Sequence, residues 1–302
     1  MDARSQRLIA GLFAALTVVL LGAGDAPRDA QASAMQPRGP ARRIISLVPA
    51  LTEVLFAIGA GPQVMAVSNF DEHPPEVLKL PKVGALLDPD TERILSMRPD
   101  LVMVYGSQAT LKGQLARARV ATFDYSHGGL RDIMPVFLQL GDLTGHRAEA
   151  VTRVHDLESK LSVIQRRVAN RPRPKTLLVM GREPQSLRNL DASGGQGFLH
   201  DLVQLAGGTN VFGDIKRQAV RASTEMLLVR APDVIVDLHY GESANAEQAA
   251  EERAAWQRLG SIPAVRNGRI HVIYGDYMVV PGPRIADAAQ SLARAIHPEA
   301  FD

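Results

Sequence analysis

The sequence contains no cysteine and one tryptophan, and aromatic residues make up only 5% of it. Without cysteine there are no disulfides, thiolate nucleophiles, iron–sulfur clusters or cysteine-based zinc sites, and nothing to carry a lipoprotein anchor. An excess of one charge is also missing: 34 Lys plus Arg stand against 32 Asp plus Glu, scattered along the whole length. Nucleic-acid binders show a basic stripe with a charge surplus, so no nucleic-acid partner is expected. No HExxH spacing, Gly-x-Ser-x-Gly elbow, P-loop or kinase signature occurs, which leaves catalysis without a constellation to carry it. Gly194-Gly195-Gln196-Gly197 is too short for a dinucleotide fingerprint and reads as a loop leading into a helix.

Long apolar runs are absent too, except for one near the N-terminus. Leu8 to Leu21 follows the basic Arg4 and Arg7 and precedes the small-residue triplets Ala30-Gln31-Ala32 and Ala32-Ser33-Ala34. That is the pattern of a cleavable signal peptide over 1–34, shorter than the roughly 20 residues a bilayer span requires. Export follows. The rest, within a chain that is 46% hydrophobic and 22% charged, is folded globular material long enough for about two domains.

Along that material strands and helices alternate. Strands are expected at Arg43 to Val48, Val64 to Val67, Leu101 to Tyr105 and Ala121 to Tyr125, with helices over Thr52 to Ile58, Thr91 to Met97 and Leu111 to Ala118. Pro49 ends the first strand. From Ile133 to Asn170 the pattern is helical without a break, and Arg171-Pro172-Arg173-Pro174 closes it. Alternation then resumes with strands Thr176 to Met180, Val234 to Leu238 and Ile270 to Tyr274 and helices Gly197 to Ala206, Thr224 to Val229, Ala246 to Leu259 and Arg284 to Ala295. The expected fold is α/β, with two lobes, each a mostly parallel sheet flanked by helices, joined by one long backbone helix. The boundaries read as an N-terminal lobe over 42–140, a connecting helix over 141–171 and a C-terminal lobe over 174–302. A half-repeat supports the two lobes: Thr91-Glu92 through Pro99-Asp100-Leu101-Val102 matches Thr224-Glu225 through Pro232-Asp233-Val234-Ile235.

In open parallel sheets ligands bind beyond the carboxyl ends of the strands, so two facing lobes make a cleft. All five tyrosines, Tyr105, Tyr125, Tyr240, Tyr274 and Tyr277, fall at or just past expected strand ends, as do Arg182 and His239, and beside them comes Arg284 in Pro281-Gly282-Pro283-Arg284. Arginine forks there can hold carboxylate or phosphate, and His73, His127 and His239 sit where a metal-bearing ligand could meet them. Glu92 and Glu225 occupy equivalent helix N-termini, where the helix dipole favours an acid. One exposed acid on each lobe also offers two charged pegs to a pseudo-symmetric partner.

The chain resembles the periplasmic binding proteins of ABC importers for vitamin B12, iron–siderophores and haem, the class with a helical backbone between its lobes. The resemblance covers 42–298 and rests on Arg43 to Glu53, Pro81-Lys82-Val83-Gly84, Glu92 to Val102, Leu205 to Phe212, Glu225 to Ile235 and Gly282-Pro283-Arg284-Ile285. It leans to the vitamin B12-binding type through Ser46-Leu47-Val48-Pro49-Ala50, which adds Pro49 to the ligand-binding set. The resemblance implies a periplasmic solute-binding component, not an enzyme, with no cofactor of its own. Its ligand would be cobalamin, with haem or a ferric siderophore as alternatives. It further implies that Glu92 and Glu225 dock onto arginines of a permease dimer in the inner membrane. That type lines its cleft with tryptophans; here the matching positions are Leu86, Tyr105 and a small residue near Ala219, and Trp256 reads as part of a surface helix. A haem carrier would draw an axial ligand from Tyr105, Tyr125, His73, His127 or His239, and an anionic siderophore would need Arg182 and Arg284. A nearly neutral cobalamin suits an apolar cleft with few charges. The remotest alternative is a secreted metal-dependent enzyme built on His73, His127 and His239.

Overall fold

The structure is a computed structural model and describes residues 39–241 and 246–301. The expected signal segment 1–34 lies outside them. The chain divides into two compact units: one takes in 39–127 and Arg131–Asp156, the other Gly128–Leu130 and 157–301.

The first unit is built on a sheet of four parallel strands, β1 (Ile44–Ser46), β2 (Val64–Val67), β3 (Leu101–Tyr105) and β4 (Ala121–Tyr125), in the order β2-β1-β3-β4. Every residue of β1, and every residue of β3 except its last, is buried, which is why both read as unbroken apolar runs rather than as alternating ones. Pro49 does more than end β1. It is the first residue of the helix Pro49–Ala57, where its missing N–H costs nothing because no intrahelical acceptor is available there.

The second unit holds β5 (Lys175–Gly181), β6 (Leu190–Ser193), β7 (Thr209–Asn210), β8 (Ala219–Ala222), β9 (Val234–His239) and β10 (Ile270–Tyr274). The sheet runs β10-β9-β5-β6-β8, with β7 beside β5. The pairs β10–β9, β9–β5 and β5–β7 are parallel, whereas β6 and β8 run antiparallel. Strands β6, β7 and β8 are not among the expected ones. They are short, and Asp191 and Arg221, which face each other across β6 and β8 in a two-pronged ion pair at 2.7 and 3.1 Å, interrupt the apolar pattern that would have marked them.

The half-repeat has a physical meaning. Asp100 accepts from the backbone N–H groups of Arg42 and Arg43 at 2.9 and 3.1 Å, just before β1. Asp233 accepts from the N–H of Lys175 at 2.9 Å, at the start of β5. Each Pro-Asp therefore clamps the neighbouring central strand at its amino end. Upstream, the Asp90 carboxylate caps the helix Thr91–Ser96 and the Ser223 hydroxyl caps Thr224–Arg230.

The helical stretch expected to run unbroken from Ile133 is instead two helices, Ile133–Thr144 and Arg147–Val168. Gly145, at φ 79, ends the first in the left-handed conformation that glycine adopts without strain. The longer helix buries Ala150, Leu157, Leu161, Ile164 and Val168, one stripe at helical spacing; its residues to Asp156 belong with the first unit and those from Leu157 with the second. Trp256, expected on a surface helix, is fully buried. It follows the helix Ala246–Ala255 in a 3-10 turn and belongs to the same core cluster as Leu259, Ile235 and Leu177.

The two successive helices touch through Gly141, where an added Cβ would stand 2.7 Å from the Ala150 Cβ and 3.1 Å from the Arg147 Cα. Gly141→Ala should therefore cost about 1–3 kcal/mol by overpacking, read as a lowered urea midpoint at unchanged slope.

Candidate functional site

The carboxyl edge of the first sheet carries an aromatic cluster. Tyr105 and Tyr125 end β3 and β4 in matching register, and the alternation of strand side chains puts them on the same face. Their ring centroids are 6.1 Å apart at 64°, and His127 closes the group at 5.6 Å from Tyr105 and 5.2 Å from Tyr125. Gln108 braces it, accepting from the Tyr105 N–H and donating to the Leu86 carbonyl, both at 3.0 Å. Burial pushes both phenols well above their ordinary range, with Tyr125 and Asp71 adding to the effect on Tyr105 and Asp132 to that on Tyr125. Burial also pulls His127 down to about 4. At neutral pH the cluster is thus uncharged: two phenols and a neutral imidazole. Pro49, half-buried, starts its helix directly after β1.

Behind the cluster lies Asp71, a residue the sequence reading did not single out. Its carboxylate is buried and accepts from both the N–H and the hydroxyl of Ser68, while Lys82 donates to its carbonyl at 2.6 Å. Burial raises its pKa to about 6 against the opposing hydrogen bonds and the Lys82 charge. His73 follows two residues later and is half-buried.

The carboxyl edge of the second sheet carries a different set. The Arg182 side chain, just past β5, is entirely buried. Nε and Nη2 both donate to Asp237 Oδ2 at 2.9 and 2.7 Å, Nη1 donates to the Ser186 carbonyl at 2.8 Å, and Nη2 also meets Glu252 Oε2 at 2.7 Å. Trp256 Nε1 donates to the same Asp237 Oδ2 at 2.9 Å, and its ring lies 5.7 Å from the guanidinium. Arg182 thus finds its hydrogen-bond partners within the protein. Burial alone would raise Asp237, but the neighbouring His239 and the Arg182 charge outweigh it and hold the carboxyl below its ordinary value.

His239 and Tyr274 end the paired strands β9 and β10 side by side, with ring centroids 5.1 Å apart at 31°. The His239 Nε2 lies 3.3 Å from Asp237 Oδ1. Burial holds Tyr240 and Tyr274 above the ordinary phenol range, assisted by Asp276 at Tyr240 and by Glu252 and Asp237 at Tyr274. The Tyr277 hydroxyl sits 3.1 Å from Ser291 Oγ. Arg284, too, is already engaged: Asp276 takes Nη1 and Nη2 on its two oxygens, each at 2.8 Å.

Glu92 and Glu225 are both exposed in the first turn of their short helices. Glu225 is held below its ordinary value by hydrogen bonds from the Ser223 side chain and from backbone. Beside it Val229 is 83% exposed and Leu228 44% exposed.

The family model for periplasmic binding proteins matches residues 44–277. The chain belongs to this family. A relative from Vibrio cholerae serotype O1, named a vitamin B12-binding protein, is 26% identical over 265 residues, which is 84% of this chain and 88% of the relative. A protein of the same name from Yersinia pestis is 27% identical over 260 residues, 85% of this chain and 87% of its own length. The crystal structure of the Vibrio cholerae periplasmic vitamin B12-binding protein superposes with a TM-score of 0.73 at 25% identity, covering 87% of this chain and 99% of that one. As in other periplasmic binding proteins, the fold is α/β with helices flanking each sheet. Among the described residues no helix is long and apolar enough to cross a membrane, and no group of three or more His, Asp or Glu is placed to hold a metal ion.

Of the residues that sequence reasoning passed over, Asp237 had the clearest signal. An acid in the apolar run Val234-Ile235-Val236-Asp237-Leu238 must find partners once buried. Replacing Arg182 by Ala would leave Asp237 and Glu252 buried without their cation, so Arg182→Ala should cost about 3–5 kcal/mol in urea unfolding. A ligand-contact role would instead lower affinity at unchanged stability.

Proposed function

We propose that this chain is the exported solute-binding component of an ABC importer and that it captures a metal chelate, cobalamin foremost. The observation that carries the choice is the internal neutralisation of Arg182, just past β5, by Asp237 and Glu252, and of Arg284, at the start of the helix Ile285–Ile296, by Asp276. An anionic ferric siderophore calls for cations directed at it, and here the acids beside those cations answer them first. The remaining candidates, Pro49, Tyr105 and Tyr125 in the first unit and His239, Tyr240 and Tyr277 in the second, offer rings and hydroxyls rather than guanidinium or carboxylate groups, which suits a nearly neutral corrin. Relatives named for vitamin B12 binding over most of the chain support the same reading. Haem is the second reading, favoured by an imidazole held against a carboxylate at the end of β9. The role is capture and release without a chemical step, in the periplasm, after removal of 1–34.

Glu92 and Glu225 are the proposed contacts to the permease dimer. Both are exposed, both are fixed by capped helices, and the half-repeat puts them at equivalent places in the two units.

Calorimetric titration of the purified protein with cyanocobalamin, haemin and a ferric hydroxamate should show saturable binding of cyanocobalamin at a single site. Binding of the hydroxamate alone would overturn the argument from the neutralised arginines. Reversing both docking acids, Glu92→Lys with Glu225→Lys, should leave cyanocobalamin affinity as it was and lower cellular uptake by about tenfold or more. Undiminished uptake by the double variant would remove their docking role.

A further inference from the structure

The helix Thr224–Arg230 in the second unit shows solvent more than its docking acid. Leu228 is 44% and Val229 83% exposed, and among the described residues they are the one consecutive pair of exposed large apolar side chains. Counting three and four along the helix from Glu225 leads to these two residues, so acid and apolar pair share one face. A lone exposed apolar residue needs no explanation. Here two stand together, and Val229 is β-branched, which a seven-residue helix tolerates at a small cost in propensity. The half-repeat supplies an internal control. The positions matching Leu228 and Val229 in the helix Thr91–Ser96 are Leu95, half-buried, and Ser96, whose hydroxyl donates to the Arg93 carbonyl. That unit caps its helix and clamps its strand just as the second does, so neither task calls for the apolar pair.

The charges around the face say what it meets. Arg230, at the far end of the helix, pairs with Asp214 at 2.8 Å and lies 5.6 Å from the Phe212 ring, which leaves the exposed Glu225 carboxylate as the face's own charge. A face that offers an acid and an apolar pair together selects a partner segment with a cation next to a large apolar side chain. We infer that Leu228 and Val229 are the apolar half of the contact with the permease, covered by a segment of it that carries such a side chain beside the cation that pairs with Glu225. The inference rests on the docking reading above. Its physical content is a salt-resistant share of the binding. Salt screens an exposed acid–base contact but leaves apolar burial undiminished, so the second unit holds where charge alone would let go.

The test measures sedimentation of the purified protein with inner-membrane vesicles from cells that express the importer, against vesicles that lack it. Sodium chloride is raised from low salt to about 1 M, where the screening length is roughly 3 Å. Binding should weaken as salt rises and then level off. Leu228→Ser with Val229→Ser should lower the level reached at high salt by about tenfold or more, and Val229→Thr, which keeps the branched shape, should lower it in the same direction. Both side chains are exposed, so the urea midpoints should stay where they are. Glu225→Gln should weaken binding at low salt and flatten the salt dependence. High-salt binding unchanged in the double serine variant overturns the inference even if Glu225→Gln acts as expected. Self-association of the unaltered protein in analytical ultracentrifugation that Val229→Asp abolishes overturns it as well, because a second copy then covers the face. Should Glu92→Lys with Glu225→Lys leave vesicle binding undiminished while the double serine variant loses it, the acids lose their docking role and the apolar contact stands. Vesicle binding that does not depend on the importer overturns both.

Discussion

One carboxylate in each unit sets the register on which everything else rests. Asp100 and Asp233 reach across to the backbone N–H groups at the start of β1 and β5 and pin those strands at their amino ends. A parallel pair has no hairpin turn to fix its alignment, and a slip of one residue would turn every side chain to the other face. The clamps fix β3 against β1 and β9 against β5, and the parallel ladders of β4 on β3 and β10 on β9 extend that alignment outward. Tyr105 comes to lie beside Tyr125, and His239 beside Tyr274.

The two edges so aligned differ in their electrostatics. The first is a neutral cluster of rings over a buried carboxyl that prefers its proton up to about pH 6. The second hides three charges beneath its rim. Burying ions costs several kcal/mol each unless their charges are paired and hydrogen-bonded; Arg182 is, with bonds to Asp237, Glu252 and the Ser186 carbonyl. The consequence reaches function. A guanidinium absorbed in this way offers a ligand little, yet it orients Asp237, and Asp237 in turn faces His239. Arg284 is likewise paired, by Asp276.

The half-repeat joins a strand clamp to an exposed acid. The same short unit that ends in the clamping aspartate begins with a capped helix whose first turn displays an acid. A carboxylate there is favoured by the helix dipole and costs the fold nothing, so Glu92 and Glu225 are available for an outside partner.

Much of this was legible in the residues themselves. The apolar runs of β1, β3, β5 and β9, the Pro-Asp repeats and the tyrosines at strand ends marked the fold, the carboxyl edges and the family, because burial on both faces and sharp turns leave their mark in adjacent residues. Where the signal depended on distant partners it was lost or misleading. Gly145 inside a helical pattern did not announce a break, the charged pair Asp191 and Arg221 disguised β6 and β8, and Trp256 looked peripheral because its helix is otherwise polar. The sequence by itself determined which strands are central and where their ends fall, since those follow from local hydrophobicity. Only the tertiary structure decided that Arg182 and Arg284 are already paired and that Asp237 stands behind His239, because the strength and direction of a charge depend on what the fold brings within 3 or 4 Å of it, roughly the reach of an ion pair.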